Sequence, residues 1–292
     1  MALATGSTIR LGIDCRLSGS AHAGIGRYTE NLIRCLLGIF GFNQELPHSW
    51  KLTCFFYSQE QALQVLGENG LIHPQLKVVI TPIKHYTLAE QFQLPAHYSQ
   101  AKLDLLHVPH FNIPLLYSGA IHITIHDLLW HSQHGLEVTT LPNWIYWLKY
   151  AGYKFITQQA VTKASRVFVP SEFVKQDVIK HYPKSSEKIV ITPEGINQSY
   201  LKMRDQLLAN QVHNLPTPKP IIYYTGSLYP HKNIEVVLKA LTDLPQISLV
   251  IAGSRSVFVE RTKKMISQLG LTKQVTFAGF VDDAQLISDY QS

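Results

Sequence analysis

Cysteine is scarce. The 292 residues hold three, Cys15, Cys35 and Cys54, with no C-x-x-C spacing. Cys15 and Cys54 fall inside apolar, strand-like runs, so the reading is of buried thiols in a reducing, cytoplasmic compartment. No run of eighteen apolar residues occurs, which leaves no transmembrane helix. The opening, MALATGSTIR, lacks the basic-then-apolar profile of a secretory signal. Several catalytic signatures are also missing. Without G-x-S-x-G there is no nucleophile elbow, without G-K-[ST] no Walker A loop, and without H-E-x-x-H no zincin site. No helix-turn-helix, zinc-finger or RNP pattern occurs, so nucleic acid is not an expected partner.

Acidic residues are the minority, 20 Asp and Glu against 26 Lys and Arg, giving a net charge of +6. The excess favours anionic partners such as phosphates or an acidic membrane surface. The basic residues are scattered and form no long block.

What is present is an alternation. Apolar runs such as IRLGIDCRL, KLTCFFY, LKVVITPI, LLHVP, IHITIHDLL, RVFVP and KIVITPEGI read as strands. Between them lie helix-period segments: RYTENLIRCLLGIF, SQEQALQVLG ended by Gly67, a long helix from about Leu141 to Ala164, and SEFVKQDVIKHY with Ser171 as N-cap. Near-continuous apolar strands separated by helices imply a parallel sheet covered on both faces. The pattern pauses at the proline-rich HNLPTPKP and then restarts with IIYYTGS, SLVIAG and VTFAGF as strands. The expected organisation is an α/β domain over residues 1–196, a linker over 197–219 and a shorter α/β domain over 220–292.

Four stretches carry candidate chemistry. In SGSAHAGIGRYTEN, Gly24 and Gly26 would let backbone N–H groups approach a ligand at a helix N-terminus, or form only a glycine loop. In IHITIHDLLW, His122 and His126 would lie about 13 Å apart on a strand at about 3.3 Å per residue, too far to share one ion. His126, at the strand's carboxyl end, is therefore the functional candidate, against a satisfied surface histidine. In YYTGSLYPHKN, Gly226 ends a strand and Lys232 precedes Asn233, a natural N-cap. A lysine at a helix start costs about 0.3–1 kcal/mol against the helix dipole. A charge-assisted bond to phosphate contributes about 1.5–3 kcal/mol, so an anion between the two makes sense of the lysine. The alternative is a solvated surface cation. Asp282 and Asp283 suit a cap on the following short helix better than a metal.

Taken in order, AGIGRYTENL, HVPHFNIP, TIHDL, ASRVFVPSEFVKQDV, ITPEGI, YYTGSLYPHKNIEVVLKAL, LVIAG and VTFAGFVDDAQLISDY resemble glycosyltransferase family 4, the group 1 glycosyltransferases, from about Ile9 to the end of the chain. The bacterial mannosyltransferase-like branch is the nearest in flavour. The resemblance implies two facing Rossmann-like domains of GT-B type, with the second incomplete here. It implies transfer of a mannose- or glucose-like sugar, with retention, from a nucleotide-sugar donor such as a GDP- or UDP-hexose to a saccharide or lipid-linked acceptor. It also implies that no metal is required. Carried over by position, Gly24 and Gly26 approach donor phosphate and acceptor, and His126 contacts the donor sugar. Gly226, His231 and Lys232 form the diphosphate loop, and Gly279, Phe280 and Val281 touch the nucleobase.

There are departures. Ser227 stands where the family often has arginine, and His231 where this branch usually has arginine, which weakens neutralisation of the diphosphate. The family's E-x7-E pair follows the segment matching DDAQLISDY, and this sequence reaches Ser292 without it. Impaired activity and a marginal second domain are the expectation. A sugar-nucleotide epimerase on the same architecture and a non-catalytic remnant remain open. The aromatic helix NWIYWLKYAGYKF is either core or a peripheral contact with the inner face of the membrane.

Overall fold

The computed structural model describes residues 8–19, 22–42, 49–196, 200–202, 205, 220–253 and 258–290. The expected linker lies outside these apart from 200–202 and 205. The chain divides into two compact units, one of residues 1–131 and 147–195, the other of 132–146 and 196–292.

The first unit is built on a seven-stranded parallel sheet in the order β3-β2-β1-β4-β5-β6-β7. Its strands are β1 (Thr8–Asp14), β2 (Ser49–Phe56), β3 (Leu76–Ile80), β4 (Leu105–Val108), β5 (Ile121–Thr124), β6 (Arg166–Val169) and β7 (Ile189–Ile191). The order reverses between β1 and β4, the topological switch point where ligands of doubly wound sheets bind. Helices are α1 (Ala23–Phe42), α2 (Gln59–Leu71), α3 (Leu88–Phe92), α4 (Leu94–Gln100), α5 (Leu129–Ser132), α6 (Asn143–Lys163) and α7 (Glu172–His181), with the last residue of α5 and the first four of α6 falling in the second unit.

Both sheet faces are covered, which explains the continuous apolar runs. Ile13, Cys15, Leu52, Cys54 and Phe56 pack with Ile33 and Leu37 of α1. Phe55, Leu106, Ile123 and Val167 pack with Ala160 and Val161 of α6 and Val178 of α7. Cys15 and Cys54 are buried as expected, and Cys35 is exposed.

Local signals worked where side chains cap. Ser58 accepts a hydrogen bond from Gln61 N, and Ser171 from Val174 N. They failed elsewhere. Gly67 leaves helical geometry, but α2 resumes and runs on to Leu71. The helices α3, α4 and α5 were not foreseen.

The second unit carries three parallel strands in the order β10-β9-β8: β8 (Ile221–Thr225), β9 (Ser248–Ala252) and β10 (Val275–Gly279). Its helices are α8 (Ile234–Leu241), α9 (Val259–Gln268) and α10 (Asp283–Asp289). Leu228, Ile234, Leu238, Leu249, Ile251, Phe258 and Ile266 form its core.

Candidate functional site

In the first unit the candidates gather at the carboxyl ends of the strands. The turn after β1 ends where α1 begins, at Ala23, so Gly24 and Gly26 lie in the first turn of α1 and not in the loop ahead of it. Their roles separate. A side chain on Gly24 would meet nothing within 4 Å. A Cβ on Gly26 would stand 2.0 Å from Gly19 O. Close packing of the helix start on its own loop therefore accounts for Gly26 without a ligand.

His126 follows the end of β5 and is largely enclosed. Its Nδ1 lies 2.8 Å from Glu194 Oε1 and its Nε2 3.3 Å from Pro109 O. Tyr28 of α1 sets its ring edge-on to the imidazole, with centroids 4.7 Å apart. The Tyr28 hydroxyl meets Thr124 Oγ1 at 3.3 Å, and Thr124 Oγ1 meets His107 Nε2 at 3.2 Å. His107 is buried on β4, and burial pushes its pKa down to about 3. His110 is likewise held near about 3, chiefly by burial.

Beside these lies a buried charge network that sequence reasoning missed. Arg16 is fully buried; it donates to Asp14 at 2.7 Å, to Glu90 at 2.9 Å and to Ile83 O at 2.8 Å. Tyr98 also donates to Asp14, at 2.9 Å. Burial alone would raise the Asp14 pKa, but the charge and hydrogen bonds of Arg16 outweigh it and hold the carboxyl well below its usual range. For Glu90 burial wins over Arg16 and its value is raised. Glu90 also accepts from Asn112 Nδ2 at 2.7 Å and from Tyr86 N at 2.8 Å, which holds Tyr86 at φ 60°. His85 hydrogen-bonds the Tyr57 hydroxyl and is pushed down to about 4, mainly by burial. A fully buried ion triad contributes little net stability against its desolvation, so its effect here is to fix loop geometry at the switch point.

In the second unit the carboxyl edge of the sheet is made of glycine. Gly226, Gly253 and Gly279 end β8, β9 and β10 at φ 151°, 119° and 72°. They are laced together: Gly226 N donates to Ala252 O, and Gly253 N to Gly279 O at 2.8 Å. A Cβ on Gly253 would lie 2.7 Å from Gly226 O. Among the described residues the result is a rim of bare backbone at the end of each strand, a form that permits close approach. Gly253 was not singled out, although the same signal, a glycine closing a strand, marks it.

The following loop is anchored by buried Leu228 and by the Tyr224 hydroxyl, which donates to Ser227 O at 2.7 Å. It leads into a 3-10 turn, Pro230–Lys232, that presents Lys232 to solvent. His231 stacks on Tyr229, with centroids 5.9 Å apart. Asn233 stands at the N-cap position, but its side chain does not cap. It is left-handed, at φ 51°. The 3-10 turn supplies the helix entry instead, through Asn233 N to Pro230 O at 3.0 Å. Beyond β10, Phe280 is 75% exposed. Val281 lies between it and Asp282, which caps α10 by accepting from Gln285 N at 2.8 Å. Among the described residues, no three His, Cys, Asp or Glu side chains gather to hold a metal.

A doubly wound sheet with its polar groups at the switch point, and a second parallel sheet with a glycine rim, define a Rossmann-like α/β protein of two units. The comparisons narrow this class. Glycosyltransferase Family 4 matches residues 23–200, more than half of the chain, and Glycosyl transferases group 1 matches residues 205–292. The chain belongs to glycosyltransferase family 4. It is 25% identical over 139 residues to the D-inositol 3-phosphate glycosyltransferase of Mycolicibacterium smegmatis, covering 46% of this chain and 32% of that one. Against the enzyme of the same name from Mycobacterium leprae it is 27% identical over 124 residues, covering 41% and 29%. The chain thus spans about a third of the length of these curated relatives.

Solved structures agree on the fold, GT-B. Anabaena Alr3699/HepE in complex with UDP aligns with 96% of this chain and 71% of its own, at TM-score 0.56 and 17% identity. WaaG, involved in lipopolysaccharide biosynthesis, aligns with 96% and 72%, at TM-score 0.62 and 15% identity. Sucrose-phosphate synthase from Thermosynechococcus elongatus aligns with 97% and 73%, at TM-score 0.62 and 16% identity.

Proposed function

We propose that this chain binds a nucleotide-sugar donor and transfers its hexose, with retention of configuration, to a saccharide or lipid-linked acceptor. The observation that carries the reading is the glycine rim of the second unit followed at once by the anchored loop that presents Lys232. A cation set beside a leaving diphosphate lowers the barrier to its departure. His126, held at the sheet edge of the first unit, is assigned to the donor sugar. Gly24 in the first unit and Gly226 and His231 in the second are each assigned to the donor, and Gly279, Phe280 and Val281 to its nucleobase. The proposal asks for no metal ion. UDP is the favoured nucleotide because Alr3699/HepE is described with UDP and with UDP-glucose. The test is product analysis: UDP-glucose, UDP-galactose and GDP-mannose are incubated with the chain and saccharide acceptors. A new glycoside with released nucleoside diphosphate supports transfer; an interconverted nucleotide sugar without transfer means epimerisation.

A peripheral place at a membrane is supported by α6. No helix among the described residues is long and apolar enough to cross a membrane. The exposed side of α6 nevertheless carries Trp147, Leu148, Ala151 and Phe155 at helical spacing. From Val138 to Ser171 there is no acidic residue, while Lys149 and Lys154 on the helix are basic. Exposed aromatics with basic neighbours suit an anionic lipid surface.

A further inference from the structure

We propose that Glu194 is a positioning residue for His126, and that the two work as a histidine–carboxylate pair at the edge of the seven-stranded sheet. The functional half of this inference rests on the donor-site reading of His126; the pairing itself does not. Glu194 lies three residues past the end of β7, His126 two past the end of β5, and 68 positions separate them. They meet at 2.8 Å. The Glu194 side chain is 47% exposed and that of His126 16%. With Glu194 half-exposed, its contact with the ring adds little to folding stability, so the fold does not explain why it is there. Orientation does. The carboxylate only accepts, so Nδ1–H donates to it, which sets the tautomer. The opposite nitrogen, Nε2, faces Pro109 O at 3.3 Å; a carbonyl only accepts, so with the proton on Nδ1 this long contact sets lone pair against lone pair, and a donating partner would replace it. A hydroxyl of the donor hexose is such a partner.

The ring cannot turn freely. Tyr28 from α1 stands edge-on to it, and Tyr28 is tied through Thr124 to His107. The titratable groups facing the imidazole are therefore Glu194, Tyr28, His107 and His110, from four different segments. Of these, Glu194 alone is an anion at its ring nitrogen.

Nitrogen-15 NMR of the imidazole, assigned by its loss in His126→Gln, reads the pairing without activity. Wild type is expected to carry the proton on Nδ1. Glu194→Gln, whose amide oxygen still accepts, should keep it there, and Glu194→Ala should pass to the Nε2–H form that free imidazole prefers. A wild-type ring already in the Nε2–H form, or no change in the alanine variant, overturns the pairing. Kinetics read the role. In nucleotide-sugar turnover, Glu194→Ala should lower kcat/KM by about 10–100-fold. Glu194→Gln should restore most of it, with thermal midpoints within about 2 °C of wild type. Unchanged kcat/KM in the alanine variant overturns the positioning role. Absence of turnover in wild type removes the proposed function instead, and the NMR result still decides the pair.

Discussion

Lowering the pH from 7 to 5 should destabilise the first unit by several kcal/mol, because three histidines are buried neutral at its sheet edge. His107 and His110 are held at about 3 and His85 at about 4, burial being the largest cause in each. An unfolded histidine titrates near 6.5. Between 6.5 and 4 the unfolded chain binds protons that the folded one refuses, so stability is present above pH 6.5 and is lost as the pH falls. Linkage gives about 2 kcal/mol per histidine between pH 7 and 5, hence about 6 kcal/mol for three. That figure depends little on whether a folded value is 3 or 4, since both lie below pH 5. Asp14, held low by Arg16 despite burial, loses nothing in this window. Glu90, raised by burial, acts in the opposite sense and returns part of the loss. A typical domain has about 5–15 kcal/mol in all. The assay is urea unfolding followed by tryptophan fluorescence at pH 5, 6, 7 and 8; Trp50, Trp130 and Trp147 report the first unit. His107→Gln should lower the slope against pH by about a third. Stability flat within about 1 kcal/mol from pH 7 to 5 would refute neutral burial of these rings.

Two further predictions concern single elements. Gly26→Val places a side chain against Gly19 O, so it should lower stability by about 1–3 kcal/mol, seen as a lower melting midpoint; an unchanged melt with lost turnover would return Gly26 to the ligand. Trp147→Ala with Phe155→Ala should weaken co-sedimentation with vesicles of phosphatidylglycerol several-fold and leave zwitterionic vesicles unaffected. Equal sedimentation of wild type and variant would assign the α6 face elsewhere.

The central strands were legible because burial on both faces leaves them no polar alternation: LTCFF of β2 can hardly be anything else. The small helices were not. Leu94–Gln100 starts on a proline turn and carries polar residues, so it reads as a loop until Leu94 and Tyr98 are seen buried. At Asn233 the capping preference of the residue type lost to the left-handed geometry demanded by the turn before it. The charge network was hidden because its partners are remote. Arg16 reads as a surface cation until Glu90, 74 positions away, lies against it, and Glu194 has no local link to His126 at all. Positions set by backbone form, such as Gly226 and Gly279, could be read from a strand ending in glycine. Positions set by long-range pairing could not.

The central claim is that the loop after the glycine rim receives a nucleoside diphosphate. Calorimetric titration of UDP and GDP into the wild-type chain and Lys232→Ala tests it most directly. Loss of one charge-assisted bond, about 1.5–3 kcal/mol, should weaken binding roughly 10–100-fold in the variant, while a urea melt of the second unit stays unchanged. Equal affinity in the two proteins would remove Lys232 from the site, and no binding by the wild-type chain would contradict the account.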